Sequence, residues 1–191
     1  LSLSDEQLAQ EIAKGIGQTG IEGFYNSVSC STAGDYPSMG ISQWEGVGGR
    51  GDDLLNSIDG GAQFAGRTYS DIRDNEGIGA LQTVLDSISG RAAQDRIIAF
   101  DCLAHYVPSV KEALSNDRCI IYAGMWCPTS HRVVRRFLLN RVDSFDLNNL
   151  DILHELFRDA YYIAASVGEE YAVGYANRAN ITYDYVLTLN I

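Results

Sequence analysis

Glu22-Gly23-Phe24-Tyr25-Asn26-Ser27-Val28, then a short loop, then Ser38-Met39-Gly40-Ile41-Ser42-Gln43-Trp44: these two runs decide how the chain is read. A helix is expected before them. Ser4-Asp5-Glu6-Gln7 is a capping box, in which Ser4 and Gln7 satisfy orphan backbone donors at a helix start. Leu8, Ile12 and Ile16 follow on one face. Gly15, Gly17 and Gly20 weaken the last turns, so the helix should end near Ile21-Glu22-Gly23. Glu22 then stands at the end of an apolar helix with Phe24 and Tyr25 beside it. Apolar surroundings disfavour the ionised form of a carboxyl, which suits a general acid. By itself Glu22 would read as a solvated helix-end glutamate; the second run changes that reading. There Gly40 permits close backbone approach and Gln43 offers both a donor and an acceptor. Tyr25 and Trp44 supply flat faces of the kind that stack on sugar rings. A carboxylic acid, an amide and aromatic platforms together suit an elongated polysaccharide.

Outward from this core the chain reads as many short helices joined by glycine turns. Residues 23–51 are expected to be loop or short extended structure, with Met39–Trp44 forming one short strand or a turn. A helix should resume at Asp52-Asp53, whose charges favour a helix start, with Leu54, Leu55 and Ile58 following. Helical spacing recurs over 78–89 and over a strongly apolar stretch at 92–106, and Pro108 opens another helix. Cys119 to Met125 is a short apolar run. Residues 129–141 form an amphipathic basic helix with Arg132, Arg135 and Arg136 outward, and 147–167 form the clearest long helix. Ile181–Leu187 alternates β-branched and aromatic residues and is expected to be extended. There is no repeat and no clean domain boundary.

Composition narrows the function. At 191 residues the chain can bury about 70% of its unfolded surface and needs neither metal nor disulfide merely to fold. No run approaches the ~20 apolar residues of a membrane span. A net charge of −11 argues against a nucleic-acid partner, which would call for a basic stripe. Cys30, Cys102, Cys119 and Cys127 show no C-x-x-C pair, and His105, His131 and His154 do not complete a zinc pattern, so no metal or other cofactor is expected. Two disulfides or buried free thiols are both open. No thiol-protease signature surrounds Cys30, and His105 reads as a core histidine within an apolar helix. An acid-free stretch from Arg118 to Val142 carries Arg132, Arg135, Arg136 and Arg141, a place where an anionic polymer could be met.

The two quoted runs resemble the lysozyme-like superfamily of goose-type lysozymes, lytic transglycosylases and phage endolysins. The likeness covers roughly residues 8–58 and includes Glu45-Gly46 through Arg50 to Asp53-Leu54-Leu55. It departs from the family in placing Gly23, where serine is frequent, after the glutamate, and in its acidity. The resemblance implies a mainly α, lysozyme-like fold, or an α+β variant with a minimal β element near residues 25–45, built around a central buried helix at 91–106. It implies a single catalytic domain over 1–191 with a helical extension from about 143. Glu22 matches the general acid, and Gly40 and Gln43 the motif that lines the sugar groove; Tyr25 and Trp44, with their flat faces, complete the candidate substrate-binding residues. Tyr122, in Ile121-Tyr122-Ala123-Gly124, matches a tyrosine that positions the glutamate or the saccharide. Asp35 is the candidate second carboxylate, with Ser31, Thr32 and Glu45 as other ways to hold water; equally, Gly34-Asp35-Tyr36-Pro37 reads as a turn. The implied activity is peptidoglycan cleavage by an endolysin or cell-wall lysin, made in the cytoplasm and acting at the wall, or carried on a virion. A lytic transglycosylase, a chitosanase- or chitinase-like glycosidase, and a non-catalytic glycan-binding or structural virion module stand as alternatives.

Overall fold

The computed structural model describes residues 2–191. In chain order the elements are α1 (Asp5–Thr19), β1 (Val28–Cys30), β2 (Pro37–Met39), β3 (Trp44–Glu45), α2 (Arg50–Asn56), α3 (Tyr69–Asn75), α4 (Ile78–Leu85), α5 (Ile88–Asp101), α6 (Val107–Lys111), α7 (Asp117–Gly124), α8 (Cys127–Leu139), α9 (Leu150–Ala164) and α10 (Ala172–Leu187). A π-helical segment, Cys102–Tyr106, joins α5 to α6. The protein is thus mainly helical, with a small antiparallel sheet between residues 28 and 45. The chain forms two compact units, one of residues 1–21 with 99–191 and one of residues 22–98. Residues 143–191 belong to the first of these together with 99–142.

In the first unit, α1 starts as its capping box dictates: the Gln7 N–H donates to Ser4 Oγ, and the Ser4 N–H donates to Gln7 Oε1. Leu8, Ala9, Ile12 and Ile16 are buried along one stripe. The helix continues through Gly15 and Gly17 but stops at Thr19, earlier than the sequence suggests, with Gly20 left-handed at φ 62°. Gly15 survives inside the helix because a Cβ there would lie 2.6 Å from Met125 Sδ. The buried helix of this unit is α7, where Cys119 through Gly124 are all buried. The expectation of a central buried helix at 91–106 is therefore corrected. That stretch is one-sided: Ala93, Gln94, Ile98 and Asp101 are buried, whereas Phe100 is 59% exposed and Leu103 41%. A helix hydrophobic all round is the one that goes inside, and the short run at Cys119–Met125 has that character.

Aromatic rings from α7 to α10 fill the rest of this unit. Trp126 lies 5.0 Å from Phe157 and 4.8 Å from Tyr161, and Phe137 lies 4.8 Å from Phe157. The tail is helical, not extended as expected. Arg178, Ala179, Thr182 and Val186 are buried at helical spacing along α10, and that period outweighs the β-propensity of its residues. Arg178 is 8% exposed; it donates from Nη2 to the Met125 carbonyl and lies 5.0 Å over the Trp126 ring. Not all arginines of the 118–142 stretch face outward. Arg118 donates to the Val186, Leu189 and Ile191 carbonyls and closes the end of α10. Arg141 lies 3.8 Å over the Phe137 ring, and Arg135 pairs with Glu112 at 2.7 Å. Arg132, Arg135 and Arg136 are exposed, as expected. The four cysteines are free, Cys30 exposed and the others buried.

In the second unit, β2 is the middle strand, paired antiparallel with β1 and with β3. Sheet, α2, α4 and the first part of α5 enclose Met39, Ile41, Trp44, Leu54, Leu55, Leu81, Leu85 and Ala93, all nearly inaccessible. Among the described residues no helix is long and apolar enough to cross a membrane.

Candidate functional site

The small sheet has two unlike faces, because successive side chains on a strand point opposite ways. Its register aligns Val28, Met39 and Trp44 across the three strands, and the adjacent row aligns Ser29, Ser38 and Glu45. Met39 and Trp44 are buried on the apolar face. The other face is polar and carries two bridges between the outer strands. Ser29 Oγ donates to Gln43 Oε1 at 2.9 Å, and Ser31 Oγ donates to Glu45 Oε1 at 3.0 Å. Ser38, in the strand between, is small enough to lie under both.

The Glu22 end of the motif meets this face through Gly23. A Cβ on Gly23 would stand 2.8 Å from the Gly40 carbonyl oxygen and 3.1 Å from Gln43 Nε2. Only a residue without a side chain permits that approach, which accounts for glycine at this position. The segment is fixed further by the Phe24 N–H donating to Ser27 Oγ and the Gly40 N–H donating to the Ser27 carbonyl, both at 2.8 Å. The structure therefore brings Glu22-Gly23 and the Gly40–Gln43 turn together. Glu22 is half-buried, in the bend that follows the α1 cap rather than on the helix. Phe24 beside it is 61% exposed, so the apolar enclosure expected of Glu22 is only partial.

The turn itself is strained and heavily tied. Gly40 has φ +76°, and Gln43 is left-handed at φ 49° although it carries a side chain. Such a residue costs of order 1–3 kcal/mol and persists only where its surroundings over-determine it. Here the Gln43 amide is held at both ends, accepting from Ser29 Oγ and donating from Nε2 to the Gly40 carbonyl at 3.1 Å.

Gln94 is the residue that sequence reasoning missed. It is 0% exposed. Its Oε1 accepts from the Ile41 N–H at 3.0 Å, and its Nε2 donates to the Tyr25 and Leu85 carbonyls at 3.0 and 3.1 Å. One side chain thus ties both halves of the motif to the end of α4. A Cβ on Gly40 would fall 2.3 Å from Gln94 Oε1, so Gly40 and Gln94 need each other. The available signal was a glutamine on the buried stripe of α5, between Ala93 and Ile98.

Other expected site residues are placed as follows. Tyr25 is half-buried, its hydroxyl donating to Asp95 Oδ1 at 2.6 Å and its ring 5.0 Å from the Arg91 guanidinium. Burial first, then the Asp95 hydrogen bond and charge, push the phenol up to about 12. Trp44, expected to offer a stacking face, is 6% exposed and lies under the Gly40 turn. The Asp35 carboxylate accepts from the Ser70 N–H at 3.0 Å and its carbonyl from the Tyr69 N–H at 3.2 Å, so it anchors the start of α3. Tyr122 lies in the first unit, fully buried, with its hydroxyl 3.0 Å from His154 Nδ1. Asp52 holds the glycine-rich loop, accepting from the Val47, Gly48 and Gly66 N–H groups. Among the described residues no three metal-ligating side chains converge.

What the assembled site offers follows from its groups: Glu22 one residue from a backbone packed on a fixed amide, and a polar sheet face that carries an exposed carboxylate, Glu45. No known family model, curated protein or solved structure matches the chain.

Proposed function

We propose that the chain is a glycosidase that cleaves peptidoglycan, with Glu22 as general acid at the β-1,4 bond between amino sugars. The observation that carries this reading is the contact of Gly23 with the Gly40 carbonyl and the Gln43 amide, which sets the Glu22 segment against a fixed hydrogen-bonding turn. In this reading Glu22 protonates the leaving glycosidic oxygen while positive charge develops on the sugar ring. The exposed Phe24 and the Tyr25 edge meet the sugar faces; Gly40 and Gln43 line the chain's path, and Trp44 supports the turn from below. Asp35 and Glu45, both on the same unit, are the carboxylates considered for the second role. The protein would act on the wall as an endolysin or bacterial lysin, with the exposed Arg132 and Arg136 toward the anionic polymer.

The test is digestion of purified peptidoglycan, followed by turbidity and by mass spectrometry of released fragments. The wild type should produce reducing muramic ends, and Glu22→Gln should lose ~10²–10⁴-fold in rate, the contribution of a general acid. Undiminished clearing by Glu22→Gln removes Glu22 from the chemistry. A wild type that sediments with walls without cutting them is a binding module instead. The −11 charge favours one rival substrate, the cationic chitosan chain, which the same assay should include.

A further inference from the structure

The polar face of the sheet does more than line a path. We propose that Glu45, oriented by Ser31, is the base that activates water, so that the reaction is an inverting hydrolysis; this rests on the glycosidase reading above. Three observations converge on Glu45 rather than on Asp35.

First, the two carboxylates are differently engaged. Asp35 accepts the Ser70 N–H and its carbonyl accepts the Tyr69 N–H, so moving or protonating it would loosen the start of α3. Glu45 is exposed and anchors no helix. Second, Glu45 is aimed. Ser31 Oγ accepts the Ala33 N–H at 3.1 Å, which leaves the hydroxyl proton for Glu45 Oε1 at 3.0 Å. That bond holds one carboxylate oxygen and leaves Oε2 for a water. Third, Glu45 is in sequence with the rest of the site. The Gln43 amide touches Gly23 beside Glu22, and Glu45 lies two residues further on the same polar face.

The step balances with these two groups alone. Glu22 gives its proton to the glycosidic oxygen, and the bond from that oxygen to the anomeric carbon breaks with its electron pair on the oxygen. The water oxygen bonds to the anomeric carbon from the opposite face, and the water's proton passes to Glu45. One water is consumed, a reducing end of inverted configuration forms, and solvent returns the proton from Glu45 to Glu22. A transglycosylase would need no such base and would leave anhydro ends.

The experiment uses the full chain on purified peptidoglycan, with Glu22→Gln, Glu45→Gln, Glu45→Ala, Ser31→Ala and Asp35→Asn, each checked for wild-type circular dichroism. Glu45→Gln should fall ~10²–10⁴-fold in kcat with KM little changed. Added azide should restore turnover to Glu45→Ala and yield a glycosyl azide of inverted configuration. Ser31→Ala should fall less and shift the acid limb of the pH profile. Anhydro ends from the wild type overturn the proposal, as does Glu45→Gln at more than a tenth of the wild-type rate while Glu22→Gln is inert. Loss confined to folded Asp35→Asn overturns it by assigning the base to Asp35. If Glu22→Gln is as active as wild type, or the wild type cuts no glycan, the glycosidase reading itself falls.

Discussion

Replacing Gln94 with leucine tests whether one buried amide organises the second unit. Leucine nearly matches glutamine in volume and cannot form the three hydrogen bonds. The Ile41 N–H loses its acceptor, and the Leu85 and Tyr25 carbonyls lose the Nε2 donor. Each buried backbone group left in this way costs about 1–3 kcal/mol. The leucine's larger apolar surface offsets about 2 kcal/mol of that total. Taking the middle of that range, the net loss is about 4 kcal/mol, which for a chain of this size lowers the melting temperature by about 8–16 °C. Urea titration followed by circular dichroism should show a lower midpoint at unchanged slope, as expected for a change in stability alone. Amide exchange should localise the effect, with the Ile41 N–H losing protection first. A Gln94→Leu protein within about 0.5 kcal/mol of wild type, the range of an ordinary surface change, with Ile41 still protected, refutes the reasoning.

Four further outcomes are expected. Gly23→Ala should destabilise by about 1–3 kcal/mol, the cost of overpacking, because its Cβ would sit 2.8 Å from the Gly40 carbonyl; denaturation and wall clearing should both register it. Stability should fall as the pH drops below 6.5. Burial foremost, then the Arg158 charge, holds His154 below that ordinary value, so the unfolded chain takes up the proton first. The contribution is fully present above pH 6.5 and is lost progressively below it, until the folded protein also protonates; His154→Gln should flatten this slope in melts between pH 7.5 and 5. A thiol reagent should modify Cys30 quickly in the native protein and all four cysteines only after unfolding, since Cys102, Cys119 and Cys127 are buried and burial pushes the Cys119 thiol up to about 12. Arg132→Glu with Arg136→Glu should weaken sedimentation with walls, and the wild-type binding should fall with added salt.

Signals carried by a few neighbouring residues were legible in the sequence. Ser4 and Gln7 set the start of α1, and the spacing of Leu150, Leu153, Phe157 and Ala160 gave α9. The alternation around Met39–Trp44 gave a strand and a turn, and Glu22-Gly23 and Gly40-x-x-Gln43, singled out together in the sequence, are segments that pack against each other. Where local propensity and long period disagreed, the period won. Ile181–Leu187 is rich in strand-forming residues, yet Arg178, Ala179, Thr182 and Val186 already shared one helical face with the aromatic core. Weighing that face across the whole of 172–187 would have identified the helix.

The remainder depended on register, which no local pattern supplies. Ser29, Ser31, Gln43 and Glu45 are unremarkable polar residues until the strands are aligned. Only then do the Ser29–Gln43 and Ser31–Glu45 bridges emerge as two rungs on one face. A one-residue slip of β3 would send Glu45 to the core side and Trp44 to solvent. The burial of Met39 and Trp44 therefore fixes the register, and the register in turn places Glu45. In the same way a buried glutamine on α5 and a left-handed glutamine after β2 look like defects when each is read alone. Gln94 bonds the Ile41 N–H within the turn, and Gln43 bonds the Gly40 carbonyl that opens it. The strain at Gln43 persists because several bonds converge on the turn it closes, and that turn is the surface against which Gly23 sets Glu22.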